Sequence, residues 1–429
     1  MKSNIIHSIV VCLLAFTLPL MVACSSQEES LPGNATEAAL YLNVATIEQT
    51  RAGMDKEKMH SLRVIILHDG EDEDKGNVEY NRLYSLDGPL EEKTVLLRVK
   101  PNENKKIFLF ANEENISKVE EETDENQTLT QIFESFGTDA PGFEEAVNKL
   151  YFAPQDGNIP MASVYELKAD ELQAGKQIEK TFYLVRVMTK FTFSFINGRT
   201  DGPIKVTDMQ VSAFADKMYL MPHLHDGSGT DVPSEEFTVV DQKKEITDKD
   251  GTMYEPVLNN PYNGTYQAGG GTFWIDWLKQ AVDWSQNETA GYTADQIGWI
   301  SQYSVPSSVQ YDVDETKIKL KDIEIKMGEE YQYPTPFYRC ESMNTPSAET
   351  QEYQIDYLKI TYGVNNEEKE WTASETAALK LTNVRYLFRH THVKVNVTFN
   401  QQDVAIFARI YPWNRSEPVP PRPLEPDNN

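Results

Sequence analysis

Cysteine is scarce in this chain. Its 429 residues include three, Cys12, Cys24 and Cys340. The first two belong to an amino-terminal segment set apart below, so Cys340 stands alone and no internal disulfide framework is available. Stability must come from a conventional apolar core. Basic residues are also few relative to acidic ones, 40 against 67, and the net charge is −27. The acidic residues are spread along the chain rather than gathered in one tail. Such a surface repels phosphate and argues against a nucleic-acid partner. Catalytic signatures are missing as well. There is no His-Glu-x-x-His pair, no Gly-x-Ser-x-Gly elbow and no Gly-Lys-Ser/Thr phosphate loop. Gly269-Gly270-Gly271 has no lysine after it and runs into Phe273, which reads as a flexible hinge. Carboxylates are too abundant for any pair to be singled out as a glycosidase acid and nucleophile. No constellation of an enzyme is visible, and no cofactor or metal is expected.

Two histidine pairs, His223/His225 and His390/His392, have the spacing that shares one face of a strand and can hold a metal. No carboxylate or thiol is spaced to complete either set, so they read as strand-surface histidines. The acidic turn Asp69-Gly70-Glu71-Asp72-Glu73-Asp74 matches no calcium-loop spacing and reads as a solvated hairpin tip.

Long apolar runs are confined to the amino terminus. Lys2 is followed by a nearly unbroken apolar stretch from Ile5 to Val22, which ends Met21-Val22-Ala23-Cys24 before a polar Ser/Glu segment. Small residues before a cysteine, with polar residues beyond, resemble the lipobox of bacterial lipoproteins. Residues 1–23 then form an export signal, and Cys24 is lipidated to become the first residue of a protein held at the membrane without crossing it. An uncleaved anchor would leave Val22-Ala23-Cys24 without a purpose. The acidic stretch after Cys24 resembles the surface-export signal of Bacteroidales lipoproteins.

Residues 24–38 read as a tether. Beyond it the dominant signal is period-2 alternation. Leu40, Leu42 and Val44 alternate with Tyr41, Asn43 and Ala45; Val393, Val395, Val397 and Phe399 alternate with Lys394, Asn396 and Thr398. Val404, Ile406, Ala408 and Ile410 repeat the pattern. Strands are also expected at 62–67, 94–99, 106–111, 204–213, 318–326 and 355–362, with short helices at 128–136 and 143–150. The length of the run from Phe182 to Ile196 suggests two strands or one strand crossing between domains, which places a boundary near Thr189. Many short strands with polar turns indicate β-sandwiches. The reading is a mainly β chain of two sandwich domains, 39–188 and 189–414, with a polar, glycine-rich insertion at about 223–305 and a proline-rich, disordered tail at 415–429. Trp274 and Trp277 in the insertion either anchor it to a core or form a platform for stacking a sugar.

Several stretches, in this order, resemble the fimbrillin (FimA-like) family, the type V pilus subunits of Bacteroidales. Ser61-Leu62-Arg63-Val64-Ile65-Ile66-Leu67 with Val78-Glu79-Tyr80-Asn81 is similar to the family's first core strand and its following turn. Lys106 to Glu113, with Phe110-Ala111-Asn112, resembles its Phe-Ala-Asn strand end. Ile159-Pro160-Met161-Ala162 and Leu184 to Phe191 resemble the segment before the interdomain crossing. Asn383 to Val395 and Tyr411-Pro412-Trp413-Asn414 resemble its carboxy-terminal blocks. The resemblance implies two transthyretin-like β-sandwich domains, lipoprotein export to the outer membrane, and assembly into a cell-surface fimbria that mediates adhesion. It further implies that an Arg- or Lys-specific protease removes the first strand and that a strand from a neighbouring subunit fills the groove. Here Leu40, Leu42 and Val44 would lie on the strand removed, Arg51-Ala52 would be the bond cut, and Val404, Ile406, Ala408 and Ile410 would form the donor strand. Expected partners are other fimbrial subunits, the processing protease, the outer membrane through the lipid, and a host protein or glycan. No apolar alternation follows Asn414, which leaves a tip or anchor subunit as the alternative to a shaft subunit. A glycan-binding surface lipoprotein is the alternative outside the family.

Overall fold

The computed structural model describes residues 36–46, 54–116, 119–120, 127–211, 214–221, 224–225, 231–232, 239–248, 251–258, 310–312, 317–343, 354–364, 367–373, 379–381, 386–387 and 389–412. Among them the architecture is mainly β. Sixteen of its strands are numbered here in chain order. The first seven are β1 (Ala38–Thr46), β2 (Met59–His68), β3 (Val78–Leu90), β4 (Glu92–Val99), β5 (Lys105–Ala111), β6 (Met161–Leu167) and β7 (Gln177–Leu184). The remaining nine are β8 (Met188–Asn197), β9 (Ile204–Val211), β10 (Lys317–Ile325), β11 (Glu330–Gln332), β12 (Phe337–Cys340), β13 (Gln354–Val364), β14 (Glu367–Ala373), β15 (Thr391–Phe399) and β16 (Val404–Pro412).

The first two sheets follow from where apolar residues fall. In β2 the run Leu62 to Leu67 is buried on both faces, with Arg63 as its one polar member. A strand covered on both sides needs apolar residues at successive positions, which is why this segment does not alternate. Leu62, Val64 and Ile66 pair in register with Ala111, Leu109 and Ile107 of β5 on one face. Phe108 and Phe110 point the other way, toward α1 (Leu129–Ser135) and α2 (Phe143–Lys149). There Phe108 meets Phe143 at 5.3 Å and Phe110 meets Phe133 at 4.5 Å between ring centroids. Helix α1 starts where its sequence says it should. Thr128 accepts from the Gln131 amide and Gln131 accepts from the Thr128 amide, a reciprocal cap.

The sheet containing β2 has the order β3-β2-β5-β6. It is extended beyond β6 by the hairpin Val239–Asp248 and Gly251–Leu258, whose Val239 lies beside Tyr165. The facing sheet has three strands, β4-β1-β7. Tyr165 of β6 touches Phe182 of β7, with ring centroids 4.2 Å apart, across the sandwich interior. Val78 to Asn81, read from the sequence as a turn, is instead the start of the 13-residue strand β3. Its half-buried pattern, with Tyr80 and Tyr84 inward at a sheet edge, hid the alternation.

The run from Phe182 to Ile196 divides into the end of β7 and most of β8, which belong to different sheets. Val185, Arg186 and Val187 between them are buried. Strand β8 pairs with β11 and β12 on one side and lies parallel to β15 on the other; β15 is antiparallel to β16. The fourth sheet is β10-β9-β13-β14. Strands β1 and β15 are built alike. Each has nine residues, the same alternation of buried and half-buried positions, one parallel and one antiparallel neighbour, and asparagine at its sixth place, Asn43 and Asn396. Among the described residues no helix is long and apolar enough to cross a membrane.

Candidate functional site

Strand β1 is the centre of its three-stranded sheet. It is antiparallel to β4 from Ala38 opposite Val99 to Ala45 opposite Glu92, and parallel to β7 from Ala39 beside Gln177 to Thr46 beside Leu184. Without it, β4 and β7 would stand two strand spacings apart, about 9–10 Å, around a slot one strand wide. Leu40, Leu42 and Val44 are fully buried against Val95, Leu97, Phe182 and Leu184. At roughly 1.5–3 kcal/mol each, their burial is worth on the order of 5–9 kcal/mol, besides the two rows of backbone groups that β1 satisfies.

The outward face carries a polar rung. Thr94 Oγ1 donates to Asn43 Oδ1 at 2.6 Å, and Asn43 Nδ2 donates to Glu179 Oε1 at 3.0 Å. The rung ties all three strands: Asn43 is level with Thr94 and reaches diagonally to Glu179, which is in register with Tyr41. At the far end, Thr46 donates from its amide to the Glu91 carbonyl at 2.7 Å. Sequence reasoning singled out the inward residues and missed the rung. Its one sign in the sequence was an amide side chain on the outward side of an apolar alternation.

Among the described residues strand β16 pairs only with β15, at the edge of its sheet. Val404, Ile406 and Ala408 are half-buried against the core, and Ile410 lies in register opposite Val393. Cys24, Arg51, Ala52, Trp274 and Trp277 lie outside the described residues.

Beyond β1 the described residues begin again at Met54, and a buried polar cluster starts with the short turn Asp55–Glu57. Glu57 is 1% exposed. Its carboxylate accepts from Lys190 Nζ at 2.7 Å and Tyr338 Oη at 2.6 Å. Burial pushes the Glu57 carboxyl up, but Lys190, Tyr338 and Arg186 outweigh it and hold the group below its ordinary value. Arg186, in the link between β7 and β8, donates to the Glu57 carbonyl from Nη2 at 2.8 Å and Nε at 3.1 Å. The cluster therefore joins the segment after β1 to both sheet pairs.

Of the histidines expected on a strand surface, His390 and His392 are buried instead, and His223 lies outside the described residues. His390 precedes β15 in the left-handed backbone region, with φ 59°, and its Nδ1 accepts from the Arg186 amide at 3.1 Å. His392 Nε2 lies 2.8 Å from Thr192 Oγ1. Because His390 is in the turn, the two do not share a strand face. Burial, reinforced by Arg186 for His390 and by Lys190 and Lys394 for His392, holds both rings well below the usual histidine range.

The acidic turn is more than a solvated tip. Asp72 and Asp74 pair with Lys100 Nζ at 3.4 and 3.2 Å. Buried Lys105 pairs with Glu79 at 2.6 Å and with Glu103, and Glu103 Oε1 is 2.5 Å from His68 Nδ1. The side chains with metal-like spacing, His68-Glu79-Glu103 and Asp72-Asp74-Glu103, thus already face two ammonium groups, those of Lys100 and Lys105.

No protein-family model matches the chain, and no curated protein matches it. Solved structures do resemble it. A candidate cell adhesion protein of Parabacteroides distasonis is 10% identical, with a TM-score of 0.47 over 89% of this chain and 99% of that one. The tip fimbrial protein Mfa3 of Porphyromonas gingivalis is 10% identical, with a TM-score of 0.43 over 88% of this chain and 100% of that one. The fimbrilin FimA of Porphyromonas gingivalis is 10% identical, with a TM-score of 0.40 over 89% of this chain and 99% of that one.

Proposed function

We propose that this chain is a structural subunit of a cell-surface fimbria, exported as a lipoprotein through Cys24 and assembled by protease-triggered strand exchange. The observation that carries the reading is the place of β1. It is a central strand whose neighbours, β4 and β7, both come from later in the chain, so its loss opens a slot with two unpaired edges and a strip of core. A strand with alternating apolar residues repairs both, through backbone hydrogen bonds and inserted side chains.

Cleavage at Arg51-Ala52 would release β1. Strand β16 of a second subunit is the proposed replacement. It is an edge strand with half-buried side chains, so detaching it disturbs its own sheet far less than detaching β15, whose Val393, Val395, Val397 and Phe399 are fully buried. The proposed domains are 39–188 and 189–414, with the hairpin Val239–Asp248 and Gly251–Leu258 of the second range joined to the sheet of the first. The lipid on Cys24 would leave with β1, so anchoring would be temporary and its loss would accompany assembly. The partners are further subunits, an arginine-specific protease and a host-surface ligand. The reading is non-enzymatic.

Amino-terminal sequencing of protein extracted from the cell surface tests the processing step. A start at Ala52 in assembled material is expected. Assembled material that begins at lipidated Cys24 would instead mark an uncut anchor subunit.

A further inference from the structure

Between Cys24 and Met59 the chain holds three basic residues, Arg51, Lys56 and Lys58. A protease selective for basic side chains could act after any of them. The structure treats the two lysines in a particular way. Three successive carbonyls are occupied. The Ile159 amide donates to Lys56 O at 2.7 Å, Arg186 donates to Glu57 O, and Asn112 Nδ2 donates to Lys58 O at 2.9 Å. Asn112 is fully buried, at φ 60°. It also donates to Ile159 O at 2.7 Å and accepts from the His60 amide at 2.8 Å, so one side chain gathers three segments.

The lysine side chains are engaged too. Lys56 Nζ lies 4.2 Å from the centre of the Tyr338 ring, and Lys58 Nζ lies 3.4 Å from Glu91. A protease must draw its substrate into an extended strand, place the scissile carbonyl in its oxyanion hole and take the basic side chain into its specificity pocket. At Lys56 and Lys58 the carbonyl and the side chain are both held in other contacts until the segment opens locally.

We propose that these carbonyl locks are a shielding device: Asn112, Ile159 and Arg186 protect the Lys56-Glu57 and Lys58-Met59 bonds from proteases that cut after lysine, so that within the segment between Cys24 and Met59 only Arg51 is left for processing. Cleavage then frees β1 and leaves the chain from Asp55 onward attached at the junction of the two sheet pairs. The role of Arg51 rests on the processing reading above; the shielding of the lysines does not.

The full-length protein is digested under native conditions, separately with an arginine-specific and a lysine-specific endoprotease, and the fragments are identified by intact mass. Lys326, whose side chain is 74% exposed, is the internal reference. In the wild type the lysine-specific enzyme is expected to cut at Lys326 at least tenfold faster than at Lys56 or Lys58. Asn112→Asp keeps the acceptor for His60 and removes both donors; it should raise cleavage at Lys56 and Lys58 at least tenfold relative to Lys326. If that variant does not fold, Tyr338→Phe with Lys190→Met loosens Glu57 from the opposite side and should give about a threefold rise. Wild-type cleavage at Lys56 and Lys58 as fast as at Lys326, or no rise in a folded variant, would overturn the proposal. Protected lysines together with an Arg51 bond that the arginine-specific enzyme leaves intact would uphold the shielding and defeat the processing reading.

Discussion

Asn43 Nδ2 donates to Glu179 Oε1 across 136 residues of sequence, and this bond, with that from Thr94, fixes β1 in register between its neighbours. Asn43→Asp replaces the donor by a second carboxylate facing Glu179. The expected loss is about 0.5–1 kcal/mol, because the rung is exposed. The urea midpoint should fall slightly, and release of β1 after cleavage should be faster. Asn43→Asp with Glu179→Gln should restore most of the loss.

The two faces of the sheet built on β1 differ in their tolerance of change. Leu42 is fully buried, and Leu42→Ala should cost about 2–5 kcal/mol. Leu96, on the outer face of neighbouring β4 and 49% exposed, should accept Leu96→Ser within about 0.5 kcal/mol. Urea denaturation of the two variants beside the wild type measures both.

Arg63 and Glu113 form a buried two-pronged pair, Nε to Oε2 and Nη2 to Oε1, each 2.7 Å. Arg63 Nη1 also donates to Asn81 Oδ1 at 2.8 Å. Glu113→Ala strands the guanidinium and should cost about 3–5 kcal/mol. Arg63→Met with Glu113→Leu removes both charges and should recover at least half of that loss in the same denaturation assay.

Glu103 supplies a pH dependence. Burial pushes its carboxyl up, but hydrogen bonds from Lys100, Lys105 and His68 outweigh burial and bring it to about 2, from an ordinary 4.5. The folded-state value is lowered, so the contribution is fully present above pH 4.5 and is lost as pH falls toward 2. Discounted for the solvent that screens Lys100, it amounts to about 1–3 kcal/mol. Glu103→Gln should therefore be less stable than the wild type by that order at pH 6. The gap should narrow between pH 4.5 and 2 in paired thermal or urea melts.

Where a single strand faced the core on one side, its sequence announced it. Leu40, Leu42 and Val44, and Val393 to Phe399, alternate cleanly and lie inward as the period requires. The long run ending at Ile196 likewise betrayed the step from β7 to β8. What the sequence concealed depends on partners far away in the chain. Arg186 sits in a run of apolar residues and His390 in a polar one, yet both are buried, because each is satisfied by groups more than a hundred residues distant. A local period cannot register such contacts, and so the histidines read as surface residues. The same limit hid the Asn43 rung: its three members lie on three strands, and only their register brings them together.

The central claim is that loss of β1 opens a slot which a strand of another subunit fills. The direct measurement is to treat the mature protein with an arginine-specific protease, incubate it at high concentration, and separate the products on an SDS gel without boiling. Ladders of SDS-resistant oligomers should form only after cleavage at Arg51 and should be lost with Ile406→Asp in β16. Protein that has shed β1 and remains strictly monomeric would contradict the account.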